Sequence, residues 1–139
     1  MKLFVDTWGW LVLADPRDSF HSQAVRHYEE FSKGAGGVLT SNFVLDETFT
    51  LLFGRRPYSE ALGFSQGLLQ SSFIRIEAVT ESRFLKAFEL RKRFRDKPRI
   101  SFTDLSSMAI MMELKVPDVL TGDAHFSQVG LGFRMLPTR

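Results

Sequence analysis

Residues 119–126, Val119-Leu120-Thr121-Gly122-Asp123-Ala124-His125-Phe126, decide how the rest of the chain is read. Valine, leucine and threonine suit a buried strand, Gly122 gives a turn its room, and a carboxylate follows at once. The chain opens in a similar way, with the apolar triplet Leu3-Phe4-Val5 running directly into Asp6. If both triplets are strands of one parallel sheet, both acids lie at its carboxyl edge, where open parallel sheets bind their ligands. Asp118 precedes the second triplet, so it falls on the opposite edge and reads as structural.

Working outward, period and punctuation predict strands and helices in alternation. Strands are expected at 3–5, 38–40, 73–78, 119–121 and 133–136. A helix is expected from Asp18 or Ser19 to about Lys33, closed by Gly34-Ala35-Gly36-Gly37. A second runs from a cap at Ser41 or Asn42 through Leu52, and a third lies between Pro57 and Leu69. Thr80 caps a fourth, whose face is Phe84, Ala87, Leu90 and Phe94 and whose stop is Pro98. The last spans about Asp104 to Leu114, capped by Ser101 or Thr103. These strands are too far apart for hairpins, so right-handed crossovers are implied. The expected class is α/β, with a mainly parallel sheet of four to five strands covered by helices on both faces. The 139 residues show no linker or repeat, and 1–139 reads as a single domain.

Bulk composition narrows the chemistry. There is no cysteine, which removes disulfides, thiolate metal sites and cysteine nucleophiles and makes the cytoplasm the expected compartment. Asp6, Asp15 and Pro16 spoil any signal-peptide pattern, and no apolar stretch reaches membrane-spanning length. The net charge of +2 is small, but basic residues crowd the segment 83–99. Such a cluster either neutralises phosphates or simply forms a solvated helix face.

Two further acids deserve weighing. In the helix Ser41–Phe53, Phe43, Glu47 and Leu51 are four apart, which places Glu47 on an apolar stripe while Asn42, Asp46 and Thr50 form a polar one. A carboxylate among apolar groups is costly unless it is paired or bound to a cation. Asp104 opens the last helix, where an acid also meets the helix dipole favourably and need have no other role. Together, Asp6, Glu47, Asp104 and Asp123 would repel one another, and a divalent metal would relieve this. Oxygen ligands select Mg²⁺ or Mn²⁺.

These residues resemble the PIN domain family, and especially the VapC-type ribonuclease toxins of toxin–antitoxin pairs. The resemblance covers FVDTWGWLVL, TSNFVLDETFTLL and SFTDLSSMAIMMELKVPDVLTGDAHFSQVGLGFRMLP, with Asp123 following Asp104 by 19 positions in a T-x-D-x-x-F pattern. It implies a three-layer sandwich and a Mg²⁺- or Mn²⁺-dependent endoribonuclease. Asp6, Glu47, Asp104 and Asp123 match the family's acidic quartet and would hold metal directly or through water. Thr7, Ser41 and Thr121 match supporting hydroxyls that would hydrogen-bond the carboxylates. The resemblance further implies an RNA substrate, a cognate antitoxin and a homodimer, with the segment 57–72 forming part of a helical clip for those contacts. Arg91, Arg93, Arg95 and Arg99, with Arg55 and Arg56, are the residues expected to grip the RNA backbone.

His125 stands two after Asp123, where it could act as a base or, as histidines there more often do, brace the following turn. His21 and His27 lack the spacing of a metal pair. A haloacid-dehalogenase-like phosphatase would need a second aspartate at position 8, which is Trp8. A catalytically inactive or processing-type PIN domain acting as an RNA-binding module is the alternative, against which the intact quartet argues.

Overall fold

The computed structural model describes residues 1–33 and 37–137. Five strands form one sheet: β1 (Leu3–Val5), β2 (Val38–Ser41), β3 (Ile74–Glu77), β4 (Asp118–Leu120) and β5 (Arg134–Leu136), in the order β3-β2-β1-β4-β5. Every neighbouring pair is parallel. Seven helices among the described residues flank the sheet: α1 (Thr7–Ala14), α2 (His21–Phe31), α3 (Asn42–Arg55), α4 (Tyr58–Gln70), α5 (Glu81–Arg93), α6 (Phe102–Leu114) and α7 (His125–Gln128). The expected α/β class with a parallel sheet is what the chain adopts. No helix among the described residues is long and apolar enough to cross a membrane.

The centre of the sheet is its driest part. Leu3, Phe4 and Val5 are fully buried, and Val119 and Leu120 beside them are as well. This near-continuous apolar character is what a strand covered on both faces requires. Register pairs Phe4 with Leu39 on one side and with Val119 on the other, and Val5 with Leu120. Strand order reverses at β1, because the chain first adds β2 and β3 to one side and later β4 and β5 to the other. The carboxyl ends of β1 and β4 therefore flank the crevice where such sheets bind ligands.

Two helices of the structure, α1 and α7, were not expected from the sequence. Alpha-1 follows β1 after a single residue and is apolar around its circumference, with Thr7, Gly9, Trp10 and Val12 all buried. It therefore carries no amphipathic stripe to announce it. Its close seat depends on Gly9: a Cβ there would stand 2.6 Å from the Leu120 carbonyl oxygen and 2.8 Å from Val5 Cγ1. Trp10 locks the same helix to the sheet, its Nε1 donating to Thr40 Oγ1 at 3.0 Å while Thr40 Oγ1 donates to the Val5 carbonyl at 3.0 Å. Alpha-7 is a single turn and too short to leave a periodic signal.

Other boundaries shift for identifiable reasons. Alpha-2 begins at His21 and ends at Phe31; the glycine turn expected at 34–37 lies mostly outside the described residues. Ser41, not Asn42, caps α3, its Oγ accepting from Val44 N at 3.1 Å, and α3 continues through Gly54 to Arg55. Ser101 caps α6 by accepting from Asp104 N at 3.0 Å, and Thr103 lies inside the helix. Alpha-5 stops at Arg93, well short of Pro98. There Arg91 gathers the loop, donating from Nη1 to the Ile100 carbonyl at 2.8 Å and from Nη2 to those of Phe94 and Lys97 at 2.7 and 2.6 Å. Along the expected face of α5, Ala87, Leu90 and Phe94 are buried, but Phe84 is 44% exposed. Asp118 is structural as read, with Arg134 Nε donating to its Oδ1 at 2.6 Å.

Candidate active site

Four elements deliver one carboxylate each to a cleft of about 400 Å³: Asp6 from the end of β1, Glu47 from α3, Asp104 from α6 and Asp123 from just beyond β4. The edge rule thus predicts Asp6 and Asp123 from strand ends alone, and the two helical acids join them.

Asp6 is the best-anchored member. It is the N-cap of α1, where Oδ1 accepts from Gly9 N at 3.1 Å. Its Oδ2 accepts from Thr121 Oγ1 at 2.5 Å. Thr121 also accepts from Asp123 N at 3.0 Å, so one buried hydroxyl fixes both strand-end acids relative to each other. Burial pushes the Asp6 carboxyl up from 3.8 to about 7; the two hydrogen bonds oppose this, and the charges of Asp123 and Glu47 add to it.

Asp104 and Asp123 behave as a pair. Burial first, then a hydrogen bond shared with Asp123, then the charges of Asp6, Asp123 and Glu47 push Asp104 well above the usual carboxylate range. Burial would raise Asp123 too, but hydrogen bonding from Asp104 and from the His125 backbone N–H outweighs it and holds Asp123 low. Crowded carboxylates raise one another's affinity for protons, and a divalent cation would relieve the same repulsion. Ligand atoms of Asp104, Asp123 and His125 lie within 4.8 Å of one another, and an oxygen-rich donor set of this kind fits Mg²⁺ or Mn²⁺.

Not every expected residue plays its expected part. Glu47 is exposed, not buried: the inward face of α3 is Val44, Leu45, Thr48 and Leu52, while Phe43 and Leu51 are only half-buried. Glu47 and Leu51 line the cleft wall while Phe43 packs on Phe84, so the Glu47 charge lies in solvent beside the other acids. Of the three hydroxyls, only Thr121 bonds a carboxylate. Ser41 is spent on its helix cap. Thr7 Oγ1 lines the cleft, buried and without a hydrogen-bond partner. His125 braces the turn: its backbone N donates to Asp123 Oδ1 at 2.9 Å. Its ring Nδ1 is 3.0 Å from the same oxygen but is not aligned for a hydrogen bond.

The basic residues divide in the same way. Arg91 is committed to three backbone carbonyls, which leaves it a structural clamp. Arg93 is exposed, its guanidinium 5.3 Å from the Phe94 ring centre, and Arg95 is exposed. Arg56 pairs with Asp15 at 3.3 Å and Glu60 at 2.9 Å. Arg99 and Arg55 are exposed, line the acidic cleft and make no ion pair among the described residues. Arg83 is tied to Glu77 and Glu113 at 3.0 and 2.7 Å.

Comparison with known proteins agrees with this geometry. The PIN domain family model matches residues 3–131. The sequence is 34% identical over 128 residues to the 23S rRNA-specific endonuclease VapC20 of Mycobacterium tuberculosis, in strains CDC 1551 and H37Rv alike, covering 92% of this chain and 94% of that one. The crystal structure of M. tuberculosis VapC20, described as a sarcin-ricin loop cleaving toxin, superposes with a TM-score of 0.80 at 32% identity, covering 93% and 95% of the two chains.

Proposed function

The chain belongs to the PIN domain family, and from that premise we propose that it is a divalent-metal-dependent endoribonuclease of the VapC toxin type. The observation that carries this reading is the convergence of Asp6, Glu47, Asp104 and Asp123 on one cleft. Asp6, Asp104 and Asp123 would hold the ion, with Glu47 reaching it directly or through water. When bound, a divalent ion supplies Lewis acidity and charge neutralisation for hydrolysis of a phosphodiester.

The chain's own residues supply the positioning. Thr121 fixes Asp6 and the Asp123 backbone, so the two strand-end acids present a rigid pair. Of the basic residues expected to grip RNA, Arg55 and Arg99 hold the phosphates on either side of the scissile bond, and Arg91 has no part in it because it is spent on three carbonyls. Hydrolysis in line leaves a 5′-phosphate and a 3′-hydroxyl. The substrate named for the similar protein makes 23S rRNA, and its sarcin-ricin loop, the first RNA to test. The reading also includes a cognate antitoxin and a homodimer contacting the α4 segment of a single-domain protein in the cytoplasm.

Incubation of ribosomes and purified rRNA with the protein and Mn²⁺ tests the reading. Cleavage with 5′-phosphate ends is expected, and Asp6→Asn or Asp123→Asn should lower it by orders of magnitude while the protein stays folded. Ends carrying a 2′,3′-cyclic phosphate, or near-wild-type cleavage by both variants, would remove metal-dependent hydrolysis at this site.

A further inference from the structure

The acidic cleft does not end at its metal-ligating acids. Its wall of Trp8, Leu11, Leu51 and Arg55 is shared with a second cavity of about 390 Å³ between α1 and α3. That volume is within the about 300–1,000 Å³ of clefts that take small ligands or parts of larger ones.

The charges of this cavity are mostly cancelled. At its far end, Asp15 Oδ1 meets Arg17 Nε at 3.2 Å and Arg56 Nη1 at 3.3 Å, and Arg56 also meets Glu60. Asp18, the other acid of the lining, accepts from Phe20 N at 2.8 Å, and the rest of the wall is Trp8 and aliphatic side chains, with Arg55 at the junction with the cleft. Trp8 is half-buried and braced edge-on by Phe20, ring centres 5.7 Å apart, so its indole is held in place as a wall. A phosphate has no reason to leave Arg55 for such a recess. A flat, uncharged heterocycle does, because it trades water for aromatic contact.

We propose that the recess is a nucleobase subsite: an unpaired base next to the scissile phosphate stacks against Trp8, and the adjoining phosphate is held by Arg55. This rests on the nuclease reading above. It adds a condition to it, since a base inside a duplex cannot enter a recess of this kind and the cleaved position must lie where the strand is unstacked. It also assigns Trp8, which stands directly after the Asp6-Thr7 pair, to substrate placement.

The test separates binding from cleavage. Binding of a short unstructured oligoribonucleotide is measured by anisotropy with Ca²⁺ replacing Mn²⁺, alongside the same sequence made abasic at each position in turn. Wild-type protein should bind the oligonucleotide with quenching of tryptophan emission, and one abasic position should weaken binding by about 10- to 100-fold. Trp10 is only 1% exposed and provides a background that does not respond. Trp8→Leu keeps an apolar group against Phe20 but removes the stacking face. It should weaken binding of the intact oligonucleotide by a similar factor and become indifferent to that abasic position, while Trp8→Phe retains most of the discrimination. A folded Trp8→Leu that still penalises the abasic position as the wild type does overturns the subsite. So does wild-type protein that binds all abasic forms equally. Cleavage with Mn²⁺, scored separately on rRNA, decides the nuclease reading itself.

Discussion

Asp6→Asn should make the metal-free protein more stable, and by an amount that grows with pH. Asp6 is only 4% exposed, and its carboxyl is raised from 3.8 to about 7. An acid whose folded value is raised binds its proton more tightly in the fold than in the unfolded chain. Stability is therefore lost as pH climbs from about 4 through 7, and the full cost is present above that window. A displacement of about three pH units corresponds to roughly 4 kcal/mol at 1.36 kcal/mol each, an upper bound that relaxation of the site would reduce. Asparagine keeps the N-cap, because its side-chain oxygen can accept from Gly9 N as the aspartate does, and its amide can donate to Thr121 Oγ1. Melting in EDTA, followed by circular dichroism at several pH values, reads the difference. At pH 5 roughly 1.7 kcal/mol of that cost is already present, so the gap there should be about 2 kcal/mol at most. At pH 8.5 the variant should melt higher by up to about 15 °C, taking about 4 °C per kcal/mol for a chain of this size. A gap that stays constant with pH, or a variant less stable at pH 8.5, would refute the reasoning that a desolvated charge sits at this position.

Mn²⁺ should raise the melting temperature of the wild type more at pH 8 than at pH 5, because the ion competes with the protons held by Asp6 and Asp104, and Asp104→Asn should shrink this gain. Arg91→Met should cost about 2–4 kcal/mol in chemical denaturation by orphaning three carbonyls, whereas Arg99→Ala should leave stability unchanged and reduce the salt slope of RNA binding by about 0.7–0.9. Gly9→Ala should destabilise by at least about 1–3 kcal/mol, since its Cβ would have to displace the Leu120 carbonyl 2.6 Å away; a neutral effect in denaturant titration would mean that α1 does not rest on β4 as described.

What could be read from the sequence followed from rules with a single physical cause. Asp6 and Asp123 were placed by the geometry of strand ends, and that placement depends only on strands lying parallel. Asp104 alone read as an acid favoured by the helix dipole and gained weight only beside the other three acids and the family resemblance, because its closeness to Asp123 is a property of two elements meeting and has no local signal. Glu47 was put on the right stripe for the wrong environment. Helical spacing tells which residues share a face, but not whether that face meets the core or a cleft. Arg91 shows the converse: a run of basic residues cannot reveal that one of them closes a loop from inside. Alpha-1 leaves no trace because a helix apolar on all sides lacks the amphipathic period on which such readings rely, whereas the Gly9 that lets it sit against β4 is visible only once both are in place.

The hydrogen bond from Thr121 to Asp6 joins residues 115 positions apart. Two of the four acids, and the hydroxyl that aligns them, thus come together only when β4 has docked on β1, after nearly all of the intervening chain has been made and folded. Contacts of such long range are the slow part of a folding reaction. A growing chain that displays Asp6 and Glu47 on the ribosome has no assembled centre, so the time at which the protein could first cut RNA is set by arrival of its last parallel strands. The order of the strands in the sheet acts in this sense as a delay.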